Sequence, residues 1–123
     1  ADLTARAPFP TRGLLHVIDV SDSEHPRRVA WWDPIEFGVH NIWAEGDLLY
    51  VAAYDGGVRV LDISGELRGD LGRQGRLIAH LPTGALDGFR ANAGLAWSAI
   101  PHRGHVFISD INSGLWVARL VEP

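Results

Sequence analysis

Apolar and polar positions form short runs along most of the chain. Residues 39–44, 48–54 and 58–63 are rich in Val, Ile, Leu, Tyr and Trp, and each run is too short for a buried helix. Turn residues separate them, among them Asp55-Gly56-Gly57, where glycine permits the positive φ of a tight hairpin. No apolar series with helical spacing runs beyond two turns. The pattern therefore predicts an all-β chain.

Three segments, each beginning with a glycine, align with one another. They start at Gly13, Gly57 and Gly114, which lie 44 and 57 residues apart. Upstream of the last two the match continues without a gap, because residues 49–57 lie over residues 106–114. A unit of this length is expected for one four-stranded blade of a β-propeller.

The repeat predicts a β-propeller segment of about two four-stranded antiparallel blades within residues 1–123, with nine strands in all. Residues 13–32 are expected to form the outer strands of one blade, 38–81 a complete blade, and 95–120 a last blade that lacks its outer strand. A propeller usually closes with four to eight blades, so this segment is expected to be incomplete without further blades. Its free edge at 115–120 is expected to pair with another protein chain or with further blades of the same polypeptide. A small sandwich that closes on itself is the alternative.

The ends of two of these runs resemble a known repeat family. Leu15-His16-Val17-Ile18-Asp19-Val20-Ser21-Asp22, followed by His25-Pro26, and Val58-Arg59-Val60-Leu61-Asp62-Ile63-Ser64 are similar to the motif of the LVIVD-repeat propellers. The resemblance covers most of residues 13–120, implies a propeller fold, and implies an exported protein more than any particular activity. The second copy departs from the motif at residues 65–70, which are expected only to lengthen a surface loop.

Composition narrows the possible partners. The formal net charge is −4 with no basic stripe, which argues against nucleic-acid binding. The longest apolar runs are about six residues against the roughly 20 that span a bilayer, so no membrane span is expected. The chain has no cysteine, which excludes disulfides and thiolate metal sites and is compatible with an extracytoplasmic location.

Histidines are the most conspicuous candidates for chemistry. His40 lies on the predicted innermost strand, and its repeat partner is Trp97, so the repeat is broken where a propeller channel would be lined. His102 lies in the next inner turn, near the same channel. Neutral imidazole suits Zn, Cu or Fe, so these two residues are the candidate ligands of a transition metal in a closed channel. The alternative is that His40 is a half-buried strand residue bonded to a carbonyl group.

Other polar and aromatic residues have structural interpretations. Asp19 and Asp62 end strands and precede serines by two positions, where a carboxylate can accept bonds from backbone amides. Trp31 and Trp32 are adjacent on an outer strand, so their side chains are expected on opposite faces, one between blades and one outside. Trp43, Trp97 and Trp116 are expected to pack between blades.

Two functions are consistent with these observations. The first is a non-catalytic binding or scaffolding module, outside the cytoplasm and part of a larger propeller or assembly. The second is a metal-dependent propeller enzyme with channel histidines as ligands. Propeller architecture alone does not imply chemistry, so the binding module is preferred.

Overall fold

The computed structural model describes residues 12–121, and that part of the chain contains β-strands and no helix. Nothing in these 110 residues could therefore cross a bilayer as a helix. The prediction of an all-β chain is confirmed. Its ten strands are β1 (Leu15–Asp19), β2 (Arg27–Trp32), β3 (Ile42–Glu45), β4 (Leu48–Ala52), β5 (Val58–Asp62), β6 (Gly69–Asp70), β7 (Leu77–Leu81), β8 (Ala96–His102), β9 (His105–Asp110) and β10 (Gly114–Ala118).

The strands form three sheets that follow the repeat. The first sheet has the order β1-β2-β6, the second β3-β4-β5-β7, and the third β8-β9-β10. Neighbouring strands are antiparallel, except that β6 runs parallel to β2. The second sheet is a four-stranded meander in chain order. This arrangement is consistent with partial propeller blades.

The two central strands of the second sheet, β4 and β5, are buried on both faces, whereas the outer strands β3 and β7 are largely exposed. Side chains of a strand alternate between faces, so Leu49 and Val51 of β4 enter a cluster shared with the first sheet, while Tyr50 and Ala52 enter one shared with the third. This explains why β4 is apolar throughout instead of alternating with polar residues. The three sheets consequently pack side by side through two hydrophobic clusters.

The register of the first unit differs from the alignment on Gly13. Leu15 lies opposite Trp32 and Val58 opposite Leu81, and a bulge follows Val17 in one sheet and Val60 in the other. Equivalent positions of β1 and β5 are therefore 43 residues apart, and not 44 as Gly13 and Gly57 are. Register is determined by which side chains face the neighbouring sheet, and a glycine in a flanking turn does not report it.

The two repeated aspartates cap turns, as predicted. The amide of Ser21 donates to Asp19 Oδ1 at 3.0 Å, and the amide of Ser64 donates to Asp62 Oδ1 at 2.8 Å. Hydrogen bonds from Ser21 hold the pKa of Asp19 below its ordinary value, and those from Ser64 do the same for the pKa of Asp62. The motif aspartates thus have a structural role in this chain.

The segment between β5 and β7 is more than a surface loop. Within residues 64–75, here called the strap, β6 pairs with β2 of the first sheet, and the amide of Leu71 donates to Trp31 O at 2.8 Å. Leu71 is fully buried between the first and second sheets. The expectation that this segment only lengthens a loop was wrong, because the buried Leu71, together with the partly buried Leu67, anchors a mostly polar stretch to the neighbouring sheet.

The tryptophans divide between core and surface. Trp32 is buried and Trp31 lies partly exposed under the guanidinium of Arg28, 4.9 Å from the ring, so the prediction of opposite faces is confirmed. Trp116 packs partly buried against the cluster between the second and third sheets. Trp43 and Trp97 are nearly half exposed, so neither belongs to the core, although Trp97 contacts His40 of the neighbouring unit.

Candidate functional site

His40 lies just before β3, where the second sheet meets the third. Its amide donates to Ala52 O at 2.8 Å, which continues the pairing of β3 with β4. Its Nδ1 is 2.9 Å from Trp97 O, and its ring lies 3.7 Å from the Trp97 ring between centroids. The two repeat partners are therefore in direct contact across the junction. The interpretation of His40 as a partly buried residue bonded to a carbonyl group agrees with this geometry.

Tyr54 completes this cluster. Its ring meets that of His40 edge-on at 5.1 Å and that of Trp97 at 6.1 Å. Tyr54 and Ala96 exchange two backbone hydrogen bonds, of 3.1 and 2.8 Å, which join the two sheets. Tyr54 has φ of 47°, a left-handed conformation that is uncommon for a bulky residue. The contacts of the junction hold it there.

The hydrogen bond of His40 determines what its ring can do. A carbonyl oxygen only accepts, so Nδ1 of His40 must donate to Trp97 O, and Nε2 of the neutral ring then carries the free lone pair. Ligating histidines in proteins are commonly oriented by such a bond from the other nitrogen. The geometry is thus compatible with a ligand and equally with a structural residue.

His102 does not join His40. It lies at the end of β8 with an exposed side chain, beside Phe107 at 6.4 Å between rings. His40 contacts Trp97 near the start of that strand, and five extended residues span roughly 16 Å. Across residues 12–121, no group of three His, Cys, Asp or Glu side chains is placed to hold a metal. A metal bound by either histidine stays a prediction and would need ligands from elsewhere.

The outward face of the third sheet carries an apolar patch, next to the hydrogen-bonded Ser98 and Ser109 on the same face. The face, here called the open face, carries Ile100 of β8, Phe107 of β9, and Leu115 and Val117 of β10, all of them exposed. Leu115 and Val117 are 72% and 54% exposed. Cross-strand pairing places Ile100 and Val117 on either side of Phe107, so these side chains form one continuous surface.

The repeat shows how unusual that exposure is. Val58 and Val60 of β5, 57 residues before Leu115 and Val117, are only 3% and 5% exposed because the third sheet covers them. Tyr50, the equivalent of Phe107, is buried in the same way. The open face therefore repeats a surface that elsewhere in this chain is covered by a sheet.

A buried carboxylate fixes the connection that leads into the third sheet. Asp110 accepts hydrogen bonds from Thr83 Oγ1 at 2.5 Å, from the amide of Leu95 at 2.7 Å, and from the amides of Asn112 and Ser113 at 2.8 Å each. Burial, the largest single effect, raises the pKa of Asp110, but these hydrogen bonds together outweigh it and the pKa is lowered. Asp110 is thus a structural anion rather than a reactive one.

Sequence reasoning missed two features of this region. Tyr54 was not singled out, since nothing in the sequence marks a left-handed tyrosine. The role of Asp110 was not predicted either, because its hydroxyl partner Thr83 is 27 residues away. The open face could be found in advance, since Leu115 and Val117 align with Val58 and Val60.

Comparison with known proteins identifies one repeat. A family model described as the LVIVD repeat matches residues 38–66, which run from just before His40 through β3, β4 and β5 into the strap. No curated protein and no solved structure shows a significant match.

Proposed function

This chain carries an LVIVD repeat, and on that premise we propose that it is a non-catalytic binding and assembly module of a β-propeller. The proposed role of the open face is to bind a further sheet, contributed by another protein chain or by further blades of the same polypeptide. The proposal includes a location outside the cytoplasm, with which the absence of cysteine is compatible.

One observation carries this proposal. Leu115 and Val117 are exposed where their repeat equivalents Val58 and Val60 are buried by the next sheet. A contiguous apolar surface of this kind marks an interaction site. Within the described part of the chain β10 pairs with β9 alone, so its other edge adds a row of unpaired backbone groups beside the open face.

The native mass of the purified chain tests the proposal. Light scattering on a sizing column is expected to give a mass well above 13.5 kDa, from self-association or from a chain that co-purifies. The double variant Leu115→Ser/Val117→Ser is expected to elute as a monomer, because it removes the apolar contact without touching a buried residue.

A matched control separates this effect from a general loss of surface hydrophobicity. Val20→Ser/Leu86→Ser changes two side chains that are also exposed, at 64% and 81%, but lie elsewhere. The control is expected to keep the native mass of the wild type. A well-folded wild-type monomer at every concentration would contradict the proposal and favour a sandwich that closes on itself.

The second candidate function is a metal-dependent propeller enzyme. The observation behind it is the hydrogen bond from His40 Nδ1 to Trp97 O at 2.9 Å, which leaves the lone pair of Nε2 for a metal. Elemental analysis of the same chromatographic peak distinguishes the two functions. A stoichiometric transition metal favours the enzyme, and its absence from an assembled sample favours the module.

A further inference from the structure

An apolar cleft of about 220 Å³ lies between the second and third sheets at their outer edge. Its walls come from β4, β5 and β7 on one side and from β9 and the end of β10 on the other. Among residues 12–121 no strand pairs with the outer edge of β7, which has only β5 as a neighbour there. The cleft therefore adjoins a strand edge with free backbone groups.

The walls of this cleft repeat the cluster between the first and second sheets. Seven buried residues form that cluster, and six of them have a repeat equivalent that lines the cleft. The equivalent pairs are Leu15 and Val58, Ala30 and Ala79, Trp32 and Leu81, Leu49 and Val106, Val51 and Ile108, and Leu61 and Ala118. The cleft is thus the same structural position one unit further along the chain.

The seventh residue of the cluster is Leu71, and no residue among 12–121 occupies its position in the cleft. Leu71 belongs to the strap and is fully buried between the first and second sheets. The strand β6, also part of the strap, runs parallel to β2. Ala30 and Leu61, which border Leu71, are fully buried, whereas their equivalents Ala79 and Ala118 are only partly buried. The two positions differ in the leucine and the segment that carries it, and also in two wall residues, because Leu81 and Ala118 are smaller than their equivalents Trp32 and Leu61.

We infer that this cleft binds a strap-like segment of another polypeptide: a short extended stretch, parallel to β7, that inserts a leucine behind a Gly-Asp pair. By equivalence with the bond from Leu71 to Trp31 O, the inserted leucine donates its amide to the carbonyl of His80. The aspartate folds the segment back, as Asp70 does by accepting from the amides of Gly72 and Arg73 at 2.8 and 3.2 Å.

This inference goes beyond the proposed function. It rests on the same repeat, but the cleft is complete within a single chain and does not involve the open face. It can therefore be tested on dilute, monomeric protein, and on the Leu115→Ser/Val117→Ser variant if the wild type associates. A result that contradicts one proposal therefore does not contradict the other.

A peptide taken from this chain tests the inference. Residues 64–76, blocked at both ends, are titrated into isotopically labelled protein while amide chemical shifts are followed by NMR. Shifts are expected at Ala79, His80 and Leu81 and at residues 118–120. The matched peptide with Leu71→Ser is expected to bind at least tenfold more weakly, because the serine side chain fills the apolar cleft poorly.

Several results would overturn the inference. Equal binding of the two peptides would mean that the leucine is not recognised. Shifts confined to β2 would mean that the peptide only replaces the chain's own strap. Absence of shifts at millimolar peptide, together with shifts at the same amides on addition of a medium-chain fatty acid, would assign the cleft to an apolar small molecule.

Discussion

At the scale of single residues, the most connected polar group is Asp110. Its two carboxylate oxygens accept four hydrogen bonds, one from a hydroxyl and three from backbone amides. A buried donor that loses its acceptor costs free energy because water cannot replace the bond. The turn after β9 and the connection before β8 therefore depend on one side chain.

Asp110→Asn is expected to lower the free energy of unfolding at pH 7 by about 1–3 kcal/mol, since the amide group cannot accept all four bonds. Urea unfolding monitored by tryptophan fluorescence measures this change. Asp87→Asn, at an exposed position in the same connection, is the control and is expected to behave as the wild type. An unchanged Asp110→Asn variant would mean that the donors find other acceptors.

The same residue predicts a pH dependence. Because the folded pKa of Asp110 lies below its ordinary value, its carboxylate stabilises the fold above the unfolded pKa of about 3.9. That contribution is lost as the pH falls through the folded value. Between pH 5 and 3, wild-type stability is therefore expected to fall more steeply than that of Asp110→Asn. Parallel curves would show that another group controls acid unfolding.

At the scale of elements, the strap is the feature that joins the first two sheets. It carries the two-residue strand β6 and the buried Leu71. The side chain of Arg76, just after the strap, donates to Ser64 O at 2.6 Å and to Glu66 O at 2.9 Å and so holds its first turn. Most of its polar residues are exposed, so the apolar contact comes from the fully buried Leu71, with Leu67 packed against the same cluster. A long connection between two strands of one sheet can thus bind to the neighbouring sheet and stabilise their packing.

Leu71→Ala is expected to lower the free energy of unfolding by about 3 kcal/mol, the ordinary cost of a cavity at a fully buried leucine. Leu86→Ala makes the same chemical change at a residue that is 81% exposed, and is expected to leave stability unchanged. Denaturant unfolding of both variants makes the comparison. A Leu71→Ala variant as stable as the wild type would show that the strap is not fixed by this contact.

At the scale of the whole molecule, the three stacked sheets end in a surface that repeats an interior one. Val60 and Val117 occupy the same position in successive units, yet only Val60 is covered by a sheet. Val60→Ala is expected to destabilise the isolated chain by about 2 kcal/mol, and Val117→Ala to leave it unchanged. In the assembled form the two variants are expected to become similarly destabilised.

Thermal unfolding at low and high protein concentration checks this last prediction, because association stabilises the folded state only at high concentration. The Val60→Ala variant is the internal control, since its loss of stability is expected at both protein concentrations. A Val117→Ala variant that matches the wild type at all concentrations would remove the open face as a binding surface.

Much of the fold could be predicted from local patterns. Short apolar runs between turn residues predicted β5 at 58–63, and the structure has it at Val58–Asp62. The Asp-x-Ser pattern predicted the caps at Asp19 and Asp62, because a capping bond joins residues two positions apart. β6 could not be predicted, since a two-residue strand exists only through its pairing with β2.

The candidate site, like the fold, could be predicted only in part. His40 was found because it breaks the repeat at Trp97, but that the two rings would stack at 3.7 Å depends on how two sheets meet. His102 was grouped with His40 because both were placed near the same channel. The structure separates them by most of the length of β8, since His40 contacts Trp97 and His102 ends the strand.

The sequence by itself determined the strand content, the repeat and the family of the repeat, because these depend on alternation, turn chemistry and spacing within one unit. Only the tertiary structure decided how each unit packs against its neighbour: which face of β4 meets which sheet, where Leu71 inserts, and which repeat of that position has no such leucine from residues 12–121. These depend on the register between sheets, which is determined by contacts between residues far apart in the chain.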